Sequence, residues 1–169
     1  MIDWSSVENE LKQHHYTNLK VMGKGGMGRA YSVRDSSRAE KVVKTTWMLD
    51  DNDWRMEFDF LEKVRHPNIA NVYMCFKVCN MLAMEMNCYR GGDLHHRLHQ
   101  EQIDNDKMAP ILRDILCGLT HIHHKKIVHR DMKPANILFD ASDSALITDF
   151  GLAAIDKETC LWNGTLSSP

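Results

Sequence analysis

From Lys107 to His124 the apolar residues Met108, Ile111, Leu112, Ile115, Leu116, Leu119 and Ile122 keep a three-and-four spacing without a break. Only a helix with one buried face turns that spacing into a continuous stripe, so a core helix is predicted there. What comes before alternates instead. Leu19 and Val21, then Tyr31-Ser32-Val33 after a glycine cluster, then Lys41 to Lys44 after the polar break Asp35-Ser36-Ser37, read as three short strands. Asn71 to Lys77 and Met81 to Met86 read as two more. One stretch interrupts them. Between Asp50 and Arg65 three aspartates can cap or charge a first turn, Trp54, Phe58, Leu61 and Val64 recur at helical spacing, and His66-Pro67-Asn68 ends the run. Beyond the long helix, Ile127-Val128, Ile137 to Phe139 and Ala145 to Ile147 read as short buried strands or strand-like loops. The expected class is therefore α+β: a strand-rich part with one helix, a hinge from Asn87 to Arg90, and a helix-led second part.

A chain of 169 residues with 43% hydrophobic and 26% charged residues can bury a core without staples. Its formal net charge of −2 supplies no global field to draw it onto nucleic acid or an anionic membrane, and neither partner is expected. The cysteines number 5, an odd count with no C-x-x-C pair, which suits reduced thiols in the cytoplasm or nucleus. Met1 to Ser5 lack the basic start and apolar core of a signal peptide, and no window approaches a membrane-spanning length of about 18 apolar residues. His95, His96 and His99 offer an i,i+4 pair without a suitably spaced carboxylate or thiolate, so a solvated helix face is expected rather than a metal site.

The chemistry concentrates in a few segments. Gly23, Gly25 and Gly28 form G-x-G-x-x-G, whose glycines let backbone N–H groups approach phosphate oxygens. A dinucleotide turn would need a helix directly after them, but the sequence alternates like a strand, which favours a hairpin over phosphates. Lys44 ends an apolar run. Glu57 shares a helical stripe with Trp54 and Phe58, and a carboxylate turned inward needs a cation, for which Lys44 is the candidate. His129-Arg130-Asp131-Met132-Lys133-Pro134-Ala135-Asn136 is followed by Asp149-Phe150-Gly151. Two acids, an amide and a lysine on adjoining non-helical segments suit magnesium-assisted phosphoryl transfer: oxygen ligands for a hard cation, an acceptor for a hydroxyl proton, and a positive charge for the phosphate.

In that order these residues resemble the eukaryotic-type protein kinase family of the serine/threonine type, from about Leu19 to the last residue. The resemblance implies a two-lobed α+β fold with an antiparallel, strand-rich N-lobe holding one helix and a helical C-lobe that is incomplete. It divides the chain into an N-terminal extension (1–18), an N-lobe (19–86), a hinge (87–90) and a partial C-lobe (91–169). It also implies roles. Gly23, Gly25 and Gly28 would cover the ATP phosphates, Lys44 would hold the α and β phosphates while paired with Glu57, and Asp131 would be the catalytic base. Lys133 would contact the γ-phosphate, and Asn136 and Asp149 would bind Mg2+. Met84 would be the gatekeeper, Glu85 and Asn87 would border the adenine-binding hinge, and Leu138 would form the adenine floor.

Two departures from the family pattern fall together: Ala30 where valine is usual, and Val42 where alanine is usual. Both would line one face of the adenine site, so a compensating swap that keeps its volume is expected. The segment after Gly151 resembles an activation loop, with Thr159 or Thr165 as phosphosite candidates, and no A-P-E follows before Pro169. An incomplete C-lobe would leave apolar surface of the long helix wet, so aggregation or a stabilising protein partner is expected. The expected function is transfer of the γ-phosphate of ATP to serine or threonine hydroxyls of proteins. The alternative is a truncated, non-catalytic module that binds nucleotide or regulates a relative.

Overall fold

The computed structural model describes residues 2–25, 28–47, 62–100, 103, 105–151 and 153–155. Helix α1 (Trp4–Gln13) opens the chain. Asp3 caps it, its carboxylate accepting from the Ser5 N–H at 3.1 Å, and Val7 and Leu11, one turn apart, point into the protein. Five strands follow, β1 (Thr17–Lys24), β2 (Gly28–Arg34), β3 (Glu40–Trp47), β4 (Val72–Val78) and β5 (Met81–Asn87). They form one antiparallel sheet in the order β1-β2-β3-β5-β4. The β2–β3 turn is local chemistry: the Asp35 carboxylate accepts from the N–H groups of Ser37 at 2.8 Å and Ala39 at 3.0 Å.

Register sorts the sheet into two faces. Ala30 lies opposite Lys44 and Lys44 opposite Met84, while Val42 lies opposite Met86. With a period of two, Ala30, Val42, Lys44, Met84 and Met86 share one face. Tyr31, Val33, Val43, Ala83 and Glu85 share the other, and α1 packs over it. There Val7, Leu11, Tyr16, Tyr31, Val33, Val43, Val78, Met81 and Ala83 form a closed apolar cluster. The extension expected before the N-lobe thus contains a helix that belongs to the core of the sheet.

The helix expected between Asp50 and Arg65 lies largely outside the described residues, which retain only a helical end at 62–63 and the buried Val64. After β5 the chain turns through Gly91 and Gly92 into α2 (Leu94–Gln100), then α3 (Asn105–His124). His95 and His99 sit on an exposed face of α2, and His99 Nδ1 bonds the His95 carbonyl at 2.8 Å. Helix α3 is the long helix of the sequence, extended by two residues and continuous despite Pro110. It packs closely on the loop before β4, where a Cβ on Gly118 would stand 2.8 Å from the Asn68 carbonyl oxygen.

Short strand pairs complete the second part: β6 (Ile127–Val128), β7 (Ile137–Phe139), β8 (Ala145–Ile147) and β9 (Ala154–Ile155), with β6 against β9 and β7 against β8. Ile127, Ile137, Phe139, Ala145 and Ile147 of these strands join Ile111 and Ile122 of α3 and Leu82, Met84 and Met86 of β5 in a second core that runs between the two parts.

The stripe on α3 is narrower than its periodicity suggests. Ile111 and Ile122 are buried and Ile115 and Leu119 pack on the core, but Leu112 is 50% and Leu116 61% exposed. These two leucines line an open groove of about 1060 Å³ with Ala109, Cys117, His121 and Lys125. No helix among the described residues is long and apolar enough to cross a membrane.

Candidate active site

Four segments distant in sequence carry the candidate residues; Lys44, Met84, Met86 and Asp149 line one cleft, and hydrogen bonds tie the loop of Asp131 and Asn136 to the loop of Asp149. The first is the β1–β2 hairpin, which carries the glycines. A Cβ at Gly23 would meet nothing within 4 Å, and one at Gly25 would lie 3.8 Å from the Gly28 carbonyl, so both leave space beside the hairpin, while the Gly25 N–H is itself donated to the Gly28 carbonyl at 2.9 Å. Gly28 differs. A Cβ there would fall 1.7 Å from the Thr45 carbonyl oxygen of β3, so this glycine is required by the sheet itself.

The second segment is β3, which aims Lys44 into the cleft. Its ammonium bonds the Asp149 carboxylate at 2.5 Å across 105 residues. Glu57, the expected partner, lies outside the described residues, as do Thr159 and Thr165. Val42, on the same face as Lys44, packs against the main core, and Ala30 is its diagonal neighbour there.

The third is β5. Met84 and Met86 line the enclosed end of the cleft together with Lys44, Ala70, Val72, Thr148, Asp149 and Phe150, a space of only about 20 Å³. Glu85 alternates to the far face, where the Tyr16 hydroxyl donates to its carboxylate. The residue whose side chain walls the cleft at the end of β5 is therefore Met86, which strand parity from Met84 could have identified. Asn87 stands at the rim; its amide donates to the Tyr73 hydroxyl at 2.8 Å and accepts from Lys41 at 3.4 Å. Leu138, half-buried in β7, pairs with Leu146 and bridges Asp93.

The fourth segment holds the polar cluster. His129 is 1% exposed and organises it: Nδ1 accepts from the Asp131 N–H at 3.3 Å, which leaves the ring proton on Nε2, donated to the Thr148 carbonyl at 2.9 Å. Its ring packs on Phe150, centroids 4.8 Å apart. One buried imidazole thus ties the loop of Asp131 to the loop of Asp149, a positioning role that the sequence reading left unassigned although His129 stands inside its motif. A backbone bond from Thr148 N–H to the Asn136 carbonyl at 2.9 Å joins the same two loops. Arg130 (φ 64°) and Asp149 (φ 66°) both adopt the left-handed region, a conformation that costs energy outside glycine and recurs where side chains must be aimed.

Within the cluster Asp131 accepts from Lys133 Nζ at 2.7 Å and from Asn136 Nδ2 at 3.0 Å. These bonds, the lysine's first, hold the Asp131 carboxyl below the usual carboxylate range, and Asp131 in turn raises the Lys133 ammonium. Asp131 is thus an anion at neutral pH. Asn136 is 5% exposed and its amide N–H groups go to Asp131, so its carbonyl oxygen is the group left for a ligand. With Asp149 it forms a set of hard oxygen donors on adjoining loops, a chemistry that fits Mg2+.

The sequence is similar to that of known proteins. The sequence model of the protein kinase domain family matches residues 16–165. A Dictyostelium discoideum protein named as a probable serine/threonine-protein kinase is 32% identical over 172 residues, covering 95% of this chain and 38% of that protein. Human ribosomal protein S6 kinase alpha-1 is 36% identical over 156 residues, covering 85% of this chain and 21% of its own length. Arabidopsis thaliana serine/threonine-protein kinase AtPK1/AtPK6 is 33% identical over 143 residues, 80% of this chain and 31% of that one. The chain therefore spans well under half the length of these relatives. With the glycine hairpin, the cleft lysine and the two loops joined by His129 in their family order, the chain belongs to the protein kinase domain family.

Proposed function

We propose that this chain is the catalytic segment of a serine/threonine protein kinase, which moves the γ-phosphate of ATP to a protein hydroxyl. The observation that carries the reading is the convergence of Asp131, Asn136, Asp149 and Lys44 on one cleft, with Lys44 bonded to Asp149 at 2.5 Å and Asn136 to Asp131 at 3.0 Å. The substrate hydroxyl oxygen forms a bond to the γ-phosphorus as the bond to the bridging oxygen of ADP breaks. Asp131, an anion at the cleft mouth, takes the hydroxyl proton. Lys133 beside it places a positive charge where the phosphoryl oxygens pass, and Lys44 holds the remaining phosphates from the other side. Gly23 and Gly25 let the hairpin backbone approach them. Asn136 and Asp149 would hold Mg2+, which when bound neutralises phosphate charge.

Adenine would lie against Ala30, Val42, Met84 and Met86, with the Glu85-to-Asn87 backbone at its edge and Leu138 below. In the structure Lys44 and Asp149 close the enclosed end of this cleft, so nucleotide enters by taking over part of the Lys44 contact.

Purified chain with Mg2+ and ATP is expected to phosphorylate a generic basic protein on serine or threonine. Asp131→Asn should lower that rate by at least about 100-fold, as loss of a general base does, and leave nucleotide binding within twofold. Nucleotide binding without turnover in the unaltered chain would instead support a non-catalytic, nucleotide-binding module.

A further inference from the structure

Glu85 carries a carboxylate into the protein on the sheet face that looks away from the cleft. It is 8% exposed, and the Tyr16 hydroxyl donates to its Oε2 at 2.5 Å. No lysine or arginine among the described residues makes an ion pair with it. Tyr16 is 4% exposed and held from several directions. Its N–H donates to the Leu11 carbonyl at the end of α1, His15 before it takes a left-handed turn (φ 67°), and its ring stacks on Phe76 with centroids 5.9 Å apart. Burial first, then the Glu85 carboxylate, push the phenol far above its ordinary value, so it is a donor at every working pH.

The chain neighbours of Glu85 are Met84 and Met86, which wall the cleft on the opposite face. Across the strands Glu85 lies opposite Val43 on β3 and Met74 on β4, so its backbone is paired on both sides, while among the described residues its side chain is anchored by Tyr16. One buried hydrogen bond spanning 69 residues thus connects the end of α1 to the strand that shapes the nucleotide cleft.

We propose that Tyr16 is a positioning residue for nucleotide binding: by holding Glu85 on the far face of the sheet it sets where Met84, Met86 and the hinge end of β5 stand relative to Lys44. This rests on the reading of the cleft as a kinase nucleotide site. Removing the hydroxyl leaves a buried carboxylate without a donor, and the simplest relief is for Glu85 to swing to water and carry the end of β5 with it. Removing both partners takes away that drive, since an apolar pair needs no donor.

The test uses the 169-residue chain, a fluorescent N-methylanthraniloyl ATP with Mg2+, and amide hydrogen exchange. Tyr16→Phe should raise the Kd about tenfold and speed exchange at residues 84–87, with the KM for ATP raised and kcat unchanged in turnover. Tyr16→Phe combined with Glu85→Met should return both readouts to within about twofold of the unaltered chain. Leu11→Ala, which loosens α1 without touching the hydroxyl, should lower the melting temperature and leave Kd within twofold. An unchanged Kd and unchanged exchange in Tyr16→Phe overturns the proposal, as does a double variant as impaired as the single one. If the unaltered chain fails to bind the nucleotide, the kinase reading falls, and exchange at residues 84–87 alone then decides whether Tyr16 places β5.

Discussion

Gly23 and Gly28 belong to one motif and answer to different forces. The open space around Gly23 means that a methyl group there meets no protein atom, whereas at Gly28 it would collide with the Thr45 carbonyl of the neighbouring strand. Gly23→Ala should therefore leave the melting temperature unchanged or slightly raised, with any loss appearing in nucleotide affinity. Gly28→Ala should destabilise the fold by about 1–3 kcal/mol, the range for forcing an extra carbon into packed structure. Thermal melts of the two variants without nucleotide separate these roles. Asp131 shows the complementary case: Lys133 and Asn136 donate to its carboxylate and keep it charged.

At the scale of elements, α3 and the loop before β4 meet through two histidines, His66 and His121, with ring centroids 4.8 Å apart. His121 Nε2 is buried without a hydrogen-bond partner among the described residues. Burial first, then the neighbouring His66, Lys125 and His124, lower its pKa from the usual value of 6.5. The sign follows. Because the folded value lies below the unfolded one, the unfolded chain takes up the proton first as the pH falls. The contact is fully stabilising above about pH 6.5 and is lost as the pH drops through that value toward the folded pKa, at no more than about 1.4 kcal/mol per pH unit. Melting temperatures measured between about pH 7.5 and pH 5.5 should fall less steeply in His121→Gln than in the unaltered chain. Equal slopes would show that His121 does not carry the effect. Helix α1 makes a further point at this scale. Its apolar stripe, Trp4, Val7 and Leu11, is only three residues long and its first turn lacks acidic residues, so periodicity did not separate it from a loose extension. Contacts from β2, β3 and the β4–β5 turn make it a core element.

At the scale of the molecule, one face of α3 is left open among the described residues. Leu112 and Leu116 line a groove of about 1060 Å³, more than enough for an anilinonaphthalene dye, and apolar patches of this kind drive association. The chain is expected to enhance the fluorescence of such a dye in its folded state. Leu112→Glu with Leu116→Glu should abolish the enhancement and reduce association at high protein concentration. Stability should move by no more than about 0.5 kcal/mol per site, as for exposed positions. A folded chain that leaves the dye dark would contradict this.

Much of this architecture was legible because its signals are local. Strand alternation, the three-and-four rhythm of α3, and the tight spacing of His129, Asp131, Lys133 and Asn136 all survive in one dimension. What escaped depends on long-range choices. The bond of Lys44 to Asp149 joins chain segments 105 residues apart, while the expected pairing with Glu57 falls outside the described residues. Whether Gly28 serves phosphate or strand depends on β3 passing behind it. Leu112 and Leu116 shared the apolar rhythm of α3, but a helix cannot report how many of its sides have neighbours. The turn of Glu85 away from the cleft was readable from parity, had alternation been carried one residue past Met84.

The bond between Lys44 and Asp149 has a consequence for any titration of the cleft. A triphosphate arriving there does not meet a waiting cation; it displaces one anion with another. Its apparent affinity therefore measures a difference between two partners rather than the strength of either. Asp149→Asn would weaken the incumbent and, in metal-free solution, make the site greedier for triphosphate even as it removes the carboxylate proposed to hold Mg2+.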